Sequence, residues 1–101
     1  MSIKIKLPMK KIRKVFESDE PNRDWKIKDR FLRREFEFNN FLEALGFVNE
    51  VARIAEELNH HPDIIWNYTK VIIESKTYDV DKITDKDYEL AQRIDELEIL
   101  D

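Results

Sequence analysis

The chain has two histidines, and they are adjacent: residues 57–63 read ELNHHPD, with His60 and His61 directly before Pro62. An unperturbed imidazole titrates near pH ~6.5, so near neutral pH it both donates and accepts protons. A pair of them is a candidate acid/base centre. On a continuing helix neighbouring side chains diverge by about 100° and would not easily share one substrate. Pro62 disfavours helix at the residue before it. The chain is therefore expected to turn at His61, with both rings facing one cleft. A bland reading stands beside this one, because histidine is also favoured at a polar helix C-terminus by the helix dipole. A metal site is a further reading. His60, His61 and Asp63 offer nitrogen and oxygen ligands, and Glu57 lies about one turn before His61. Zinc wants three or four convergent ligands, often at i,i+4 spacing, and neither is visible.

Other residues carry weaker signals. Thr84-x-x-Asp87 is a helix-start pattern whose carboxylate faces the positive end of the dipole, so alone it reads as a cap. Trp66 and Tyr68 are aromatics that stack on a flat ligand or, equally, fill a core or an interface.

These residues need elements to position them. Pro8 opens a short basic helix carrying Met9, Ile12, Val15 and Phe16, and SDEPNRD stops it. DWKIK alternates, with Trp25 and Ile27 on one face. Asp29-Arg30 is a tight turn. In FLRREFEF, Leu32, Phe36 and Phe38 share a face with Arg34, which completes an antiparallel hairpin. Asn40 and Glu43 start a helix over 40–58 with two apolar stripes: Phe41, Leu45, Val48, Ala52 and Ala55, then Leu42, Val51, Ile54 and Leu58. So wide an apolar surface packs on a sheet and leaves some over for a partner subunit. Gly46, the only glycine, costs this helix about 1 kcal/mol relative to Ala. IIWNYTKVIIESKTY is one bent strand or two short ones turning near Asn67 to Lys70. DVDKI is a polar loop, and Thr84 opens the last helix. Helices on one face of an antiparallel sheet give an α+β two-layer sandwich, one domain over 1–101.

Composition limits the functions available. At 101 residues a deep internal cavity is not expected, so an active site would be a shallow cleft or one completed between subunits. Charged residues are 40% of the chain and the net charge is −4, which argues against direct nucleic-acid binding. There is no cysteine, hence no disulfide framework and no thiolate metal site, and an intracellular, cytoplasmic location fits. MSIKIKLPMKK has no continuous apolar run and does not read as a signal peptide. No stretch approaches the roughly 20 apolar residues of a membrane span.

Taken together, LRREFEFNNFLEALGFVNEVARIAEELNHHPDI, a following strand segment and ITDKDYELAQRID resemble the pterin-4a-carbinolamine dehydratase family over about residues 24–97. The matching signature is Glu57, then His60-His61-Pro62, the aromatic Tyr68 and Asp87. The resemblance implies a four-stranded antiparallel sheet with three helices on one face. It also implies homodimers or homotetramers, and an activity that dehydrates 4a-hydroxytetrahydrobiopterin to quinonoid dihydropterin in tetrahydrobiopterin recycling. It implies catalysis without metal or other cofactor. His60 and His61 would be the general acid and base, with His61 at the leaving hydroxyl. Glu57 and Asp87 would orient imidazoles or the pterin, and Trp66 and Tyr68 would shape the cleft. One departure stands out. The family pattern carries a third histidine, or sometimes Trp, ten residues after the strand aromatic, and here that residue is Tyr78. A phenol with a pKa near ~10 donates a hydrogen bond at neutral pH but is a poor base. DVDKI also lacks the small glycine-rich turn common in relatives. Family members also serve as dimerisation cofactors of a homeodomain transcription factor in animals. A non-catalytic module that dimerises or stabilises a protein partner is therefore the alternative reading.

Overall fold

Side-chain alternation divides the chain's strands into an inner and an outer face, and the helices cover the inner one. The structure is a computed structural model that describes residues 24–97. Its elements are β1 (Lys26–Lys28), β2 (Phe31–Glu37), α1 (Phe41–Leu58), β3 (Asp63–Asn67), β4 (Lys70–Ser75) and α2 (Asp85–Asp95). The four strands form one antiparallel sheet in the order β1-β2-β4-β3. Among the described residues there are two helices rather than the three expected. The basic helix opened by Pro8 lies outside them, so the described fold is an α+β sandwich of four strands and two helices.

Both hairpins turn in two residues, since Lys28 pairs with Phe31 and Asn67 with Lys70. Asp29 and Arg30 both take left-handed φ angles of 53° and 70°, the geometry whose twist matches paired antiparallel strands. Tyr68 does the same at 56°. Thus the segment after the histidines is two strands, not one bent strand.

Leu32, Arg34 and Phe36 of β2 and Val71, Ile73 and Ser75 of β4 point inward and are buried. Ile64 and Trp66 of β3 pack against the same core. From above, α1 contributes Ala44, Phe47, Val51 and Ile54, and α2 contributes Leu90, Ala91 and Ile94. The two expected stripes of α1 need correction. Its central core residue is Phe47, wholly buried with its ring centroid 4.5 Å from Phe36 and 5.0 Å from Phe38. Phe41 and Leu42, at the helix start, remain exposed. The buried arc is centred on a position that neither stripe contained, and Gly46 is buried beside it. Trp25 and Ile27 keep to one face as expected, since Ile27 pairs with the inward-pointing Leu32, but the cover does not extend over both. Trp25 is buried, while Ile27 is uncovered on the outermost strand. The indole of Trp25 is held from α2, through hydrogen bonds to Asp95 Oδ1 and Oδ2 at 2.9 and 3.0 Å.

α1 ends differently from the expectation built on Pro62. Asn59 is left-handed (φ 52°, ψ 43°). Its N–H donates to Glu56 O, and the His60 N–H donates to Ala55 O at 3.0 Å. This is a Schellman-type stop, which satisfies carbonyls that the helix would otherwise leave orphaned. The chain has left the helix before His60. Pro62 only leads the already released chain into β3.

Candidate active site

Asn59 at the end of α1 swings the next residue towards α2. His60 is part-buried, and its Nε2 lies 2.7 Å from Asp87 Oδ1. Asp87 sits in the first turn of α2 with no exposed surface. It is the acidic half of a capping box, and its carboxylate divides its work. Oδ2 accepts from the backbone N–H of Thr84 and from Thr77 Oγ1, both at 2.8 Å. Oδ1 faces His60 and accepts from Ser75 Oγ. Burial pushes this carboxyl up, but bonds from Ser75, His60, the Thr84 backbone and Thr77 outweigh it and hold the pKa below the ordinary carboxylate value. The cap reading and the site reading of Asp87 therefore hold at once, one oxygen for each.

His61 stands in a different setting. Its side chain is 55% exposed, against 12% for His60, and its Nε2 lies 2.6 Å from Glu56 Oε2. The two rings are thus fixed by carboxylates from different helices. Glu57 does not orient an imidazole. It bridges Arg53 Nη1, at 2.8 Å, and Arg93 Nη2, which ties the end of α1 to α2. Hydrogen bonds from Arg93 and Arg53 hold its pKa below the usual carboxylate range. Pro62 follows a trans peptide bond and precedes Asp63, the first residue of β3.

Tyr78 projects from a tight loop closed by the Thr77–Lys82 bridge. Its hydroxyl donates to Asp63 Oδ2 at 3.0 Å, two residues along the chain from His61. That bond, then burial and the Asp63 charge, push the phenol up. The position therefore holds a hydrogen-bond donor. Lys76 Nζ lies over the rings of both Phe31 and Tyr78 at 4.7 and 5.0 Å and pairs with Asp81. Asp81 takes the left-handed turn position (φ 54°) and its carboxylate is held by Lys76 and Arg30, so the loop turns without glycine.

Trp66 and Tyr68 do not join the histidines within one chain. They stack with Phe41, at centroid distances of 4.9 Å from Trp66 and 6.2 Å from Tyr68. Phe41 opens α1, whereas His60 follows its end, and an 18-residue helix spans about 27 Å. Among the described residues no three His, Cys, Asp or Glu side chains gather as metal ligands. His60, His61 and Asp63 instead engage Asp87, Glu56 and Tyr78.

Sequence reasoning missed Glu56, Ser75, Thr77 and Asn59. For two of these a signal existed. The inward face of β4 runs Val71, Ile73, Ser75 and continues to Thr77, so two hydroxyls stand at core positions. A buried hydroxyl requires a partner, and Asp87 is the buried acceptor.

An α+β sandwich with a histidine–aspartate pair joining its two helices is the class these observations define. The sequence pattern of pterin 4 alpha carbinolamine dehydratase matches residues 5–97. The chain belongs to that family. A protein of Sulfurisphaera tokodaii, provisionally named a pterin-4-alpha-carbinolamine dehydratase, is 47% identical over 73 residues, covering 72% of this chain and 78% of that one. A Prochlorococcus marinus protein with the same provisional name is 46% identical over 74 residues, covering 73% of this chain and 77% of that one. Among solved structures, a transcriptional coactivator/pterin dehydratase from Brucella melitensis superposes with a TM-score of 0.68 at 30% identity, covering 71% of this chain and 79% of that one. A pterin dehydratase-like protein described as a RuBisCO assembly factor of the alpha-carboxysome shares the fold, with a TM-score of 0.58 at 24% identity, covering 70% of this chain and 82% of that one. No helix among the described residues is long and apolar enough to cross a membrane.

Proposed function

We propose that the chain is a 4a-hydroxytetrahydrobiopterin dehydratase, a hydro-lyase that forms quinonoid dihydropterin and water in tetrahydrobiopterin recycling. The observation that carries this reading is the contact of His60 Nε2 with the buried Asp87 carboxylate, in a chain whose family is defined by that chemistry. The C4a hydroxyl leaves with a proton supplied by an acid, and a pterin ring N–H gives one up to a base, so atoms balance with water as the second product. His61, the more exposed ring, is the group assigned to the leaving hydroxyl. His60, held by Asp87, takes the complementary role. Two imidazoles suffice for these proton transfers without a cofactor.

Generating the carbinolamine in situ and following quinonoid dihydropterin tests this directly. Acceleration over the spontaneous rate at micromolar protein is expected, and its absence overturns the reading. His61→Ala is expected to lower the rate by roughly 10²–10⁴-fold. Full activity in that variant would remove His61 from its role. Tyr78→His is expected to raise the rate if the missing base limits turnover.

A second reading is favoured by Tyr78, which places a phenol bonded to Asp63 where the family pattern carries histidine. In it the chain is a dehydratase-like module that dimerises or stabilises a protein partner. A relative in fold described as an assembly factor is a precedent for such use of the architecture. Under either reading we place the protein in the cytoplasm as a homodimer or homotetramer. The exposed Phe41 and Leu42 of α1 and Ile65 of β3 support association. A monomeric mass by light scattering at micromolar concentration would contradict it.

A further inference from the structure

We propose that Ser75 and Thr77 are positioning residues: by donating to Asp87 they keep its carboxylate an acceptor towards His60, so His60 carries hydrogen on Nε2 and exchanges protons through Nδ1 alone.

The direction of each hydrogen bond follows from the fixed donors. The Thr84 backbone N–H points at Asp87 Oδ2, so that oxygen accepts. Thr77 Oγ1 contacts both Oδ2 and Thr84 Oγ1, the latter at 2.6 Å. Its single hydrogen goes to the carboxylate, so the Thr84 hydroxyl must donate to Thr77. Thr84 Oγ1 keeps its lone pair for the Lys86 N–H, as an N-cap requires. On the other oxygen, Ser75 Oγ donates to Oδ1. With both oxygens accepting, the remaining contact at Oδ1 is a hydrogen donated by His60 Nε2. Whether the ring is neutral or charged, Nε2 keeps that hydrogen, and only Nδ1 changes state.

The hydroxyls matter because burial opposes them. A carboxyl with no exposed surface is driven towards its neutral form unless donors compensate. Removing Ser75 and Thr77 donors lets Asp87 take up a proton. Asp87 then donates to Nε2, and His60 switches to the Nδ1–H tautomer. The proposal deepens the dehydratase reading, yet its test needs no turnover.

The whole chain, labelled with ¹⁵N at its two histidines, reports the protonation of each ring nitrogen by NMR over a pH series. In the wild type His60 is expected to show a protonated Nε2 and an unprotonated Nδ1. Ser75→Ala/Thr77→Val is expected to move at least about half of the His60 population to Nδ1–H. Thr77→Ser, which keeps the donor, is expected to retain the wild-type signature. An Nδ1–H tautomer in the wild type overturns the proposal, and so does an unchanged tautomer in the folded double variant. Should the double variant not fold, Ser75→Ala alone, with a smaller shift in the same direction, decides. An Nε2–H signature in a protein that does not accelerate dehydration would sink the dehydratase reading and uphold this one.

Discussion

Asp87 and Asp95 stand at opposite ends of α2, both buried, and their carboxyls are driven in opposite directions. Asp87 lies in the first turn, where the dipole favours negative charge, and collects donors on both oxygens. Its pKa falls below the ordinary value. Asp95 lies in the last turn, where the dipole is unfavourable. It accepts from Trp25 Nε1 and from Arg34 Nη1 at 2.7 Å, yet burial pushes it up to about 6 against the pull of both partners. One helix therefore carries two buried aspartates of different kinds. The first couples the fold to a histidine. The second closes the core by tying the indole and guanidinium of the first hairpin to the last helix. Burial alone does not decide the direction in which a carboxyl shifts; the donors gathered on its oxygens do.

Four measurements separate the two. The largest effect is expected from Asp95→Ala, which strands the Arg34 charge and the Trp25 N–H in the core. It should cost about 3–5 kcal/mol in denaturant unfolding. A loss below about 1 kcal/mol would show that Arg34 finds another partner, such as Asp24, whose carboxylate lies 3.6 Å away. Next comes pH. Asp95 is raised in the folded state, so its contribution is complete below about pH 4 and is lost as pH rises through about 6. Relative to Asp95→Asn, wild-type stability should fall by roughly 3 kcal/mol between pH 4 and pH 7. Asp87 is lowered, so its contribution holds above about pH 4 and disappears as pH falls through its folded value, giving Asp87→Asn the opposite profile. Two profiles of the same sign would erase the distinction. Third, on the dehydratase proposal, Asp87→Asn should lower the dehydration rate about 10²-fold, close to 2.7 kcal/mol, while Asp95→Asn leaves the rate of the folded protein within a few-fold of wild type. Equal losses in both would make Asp87 merely structural. The smallest effect is Thr84→Ala, which removes an N-cap side chain and should cost about 1 kcal/mol in thermal or denaturant unfolding.

Much of the frame was legible in the residues, and the failures have causes. The hairpin at Asp29-Arg30, the helix over 40–58 and the start at Thr84 follow from alternation, capping and turn chemistry, all of which are local. Phe47 was missed because the helix is apolar on many sides, and only the sheet beneath selects which arc is buried. Crediting Pro62 with the turn overlooked Asn59, a residue able to take the left-handed position that ends a helix. The candidate site was legible in its histidines and in Asp87. Its second carboxylate was not. Glu56 and Glu57 are neighbours, and their split between His61 and two arginines depends on which side of the helix end each faces. Spacing along a chain does not carry that rotation across a terminus. Tyr68 matched the family signature in sequence, and Trp66 was expected to shape the cleft beside it, yet both lie with Phe41 at the far end of α1. A strand running back along a helix separates in space what a short sequence interval joins.

The divided carboxylate of Asp87 also sets an order in time. Residues 60 and 61 leave the ribosome well before residue 87, and until α2 docks, His60 has no acid to lean on. The same carboxylate that starts the final helix through one oxygen holds His60 through the other. During refolding, recovery of helical signal from α2 and formation of the His60–Asp87 contact should therefore rise together with one rate constant.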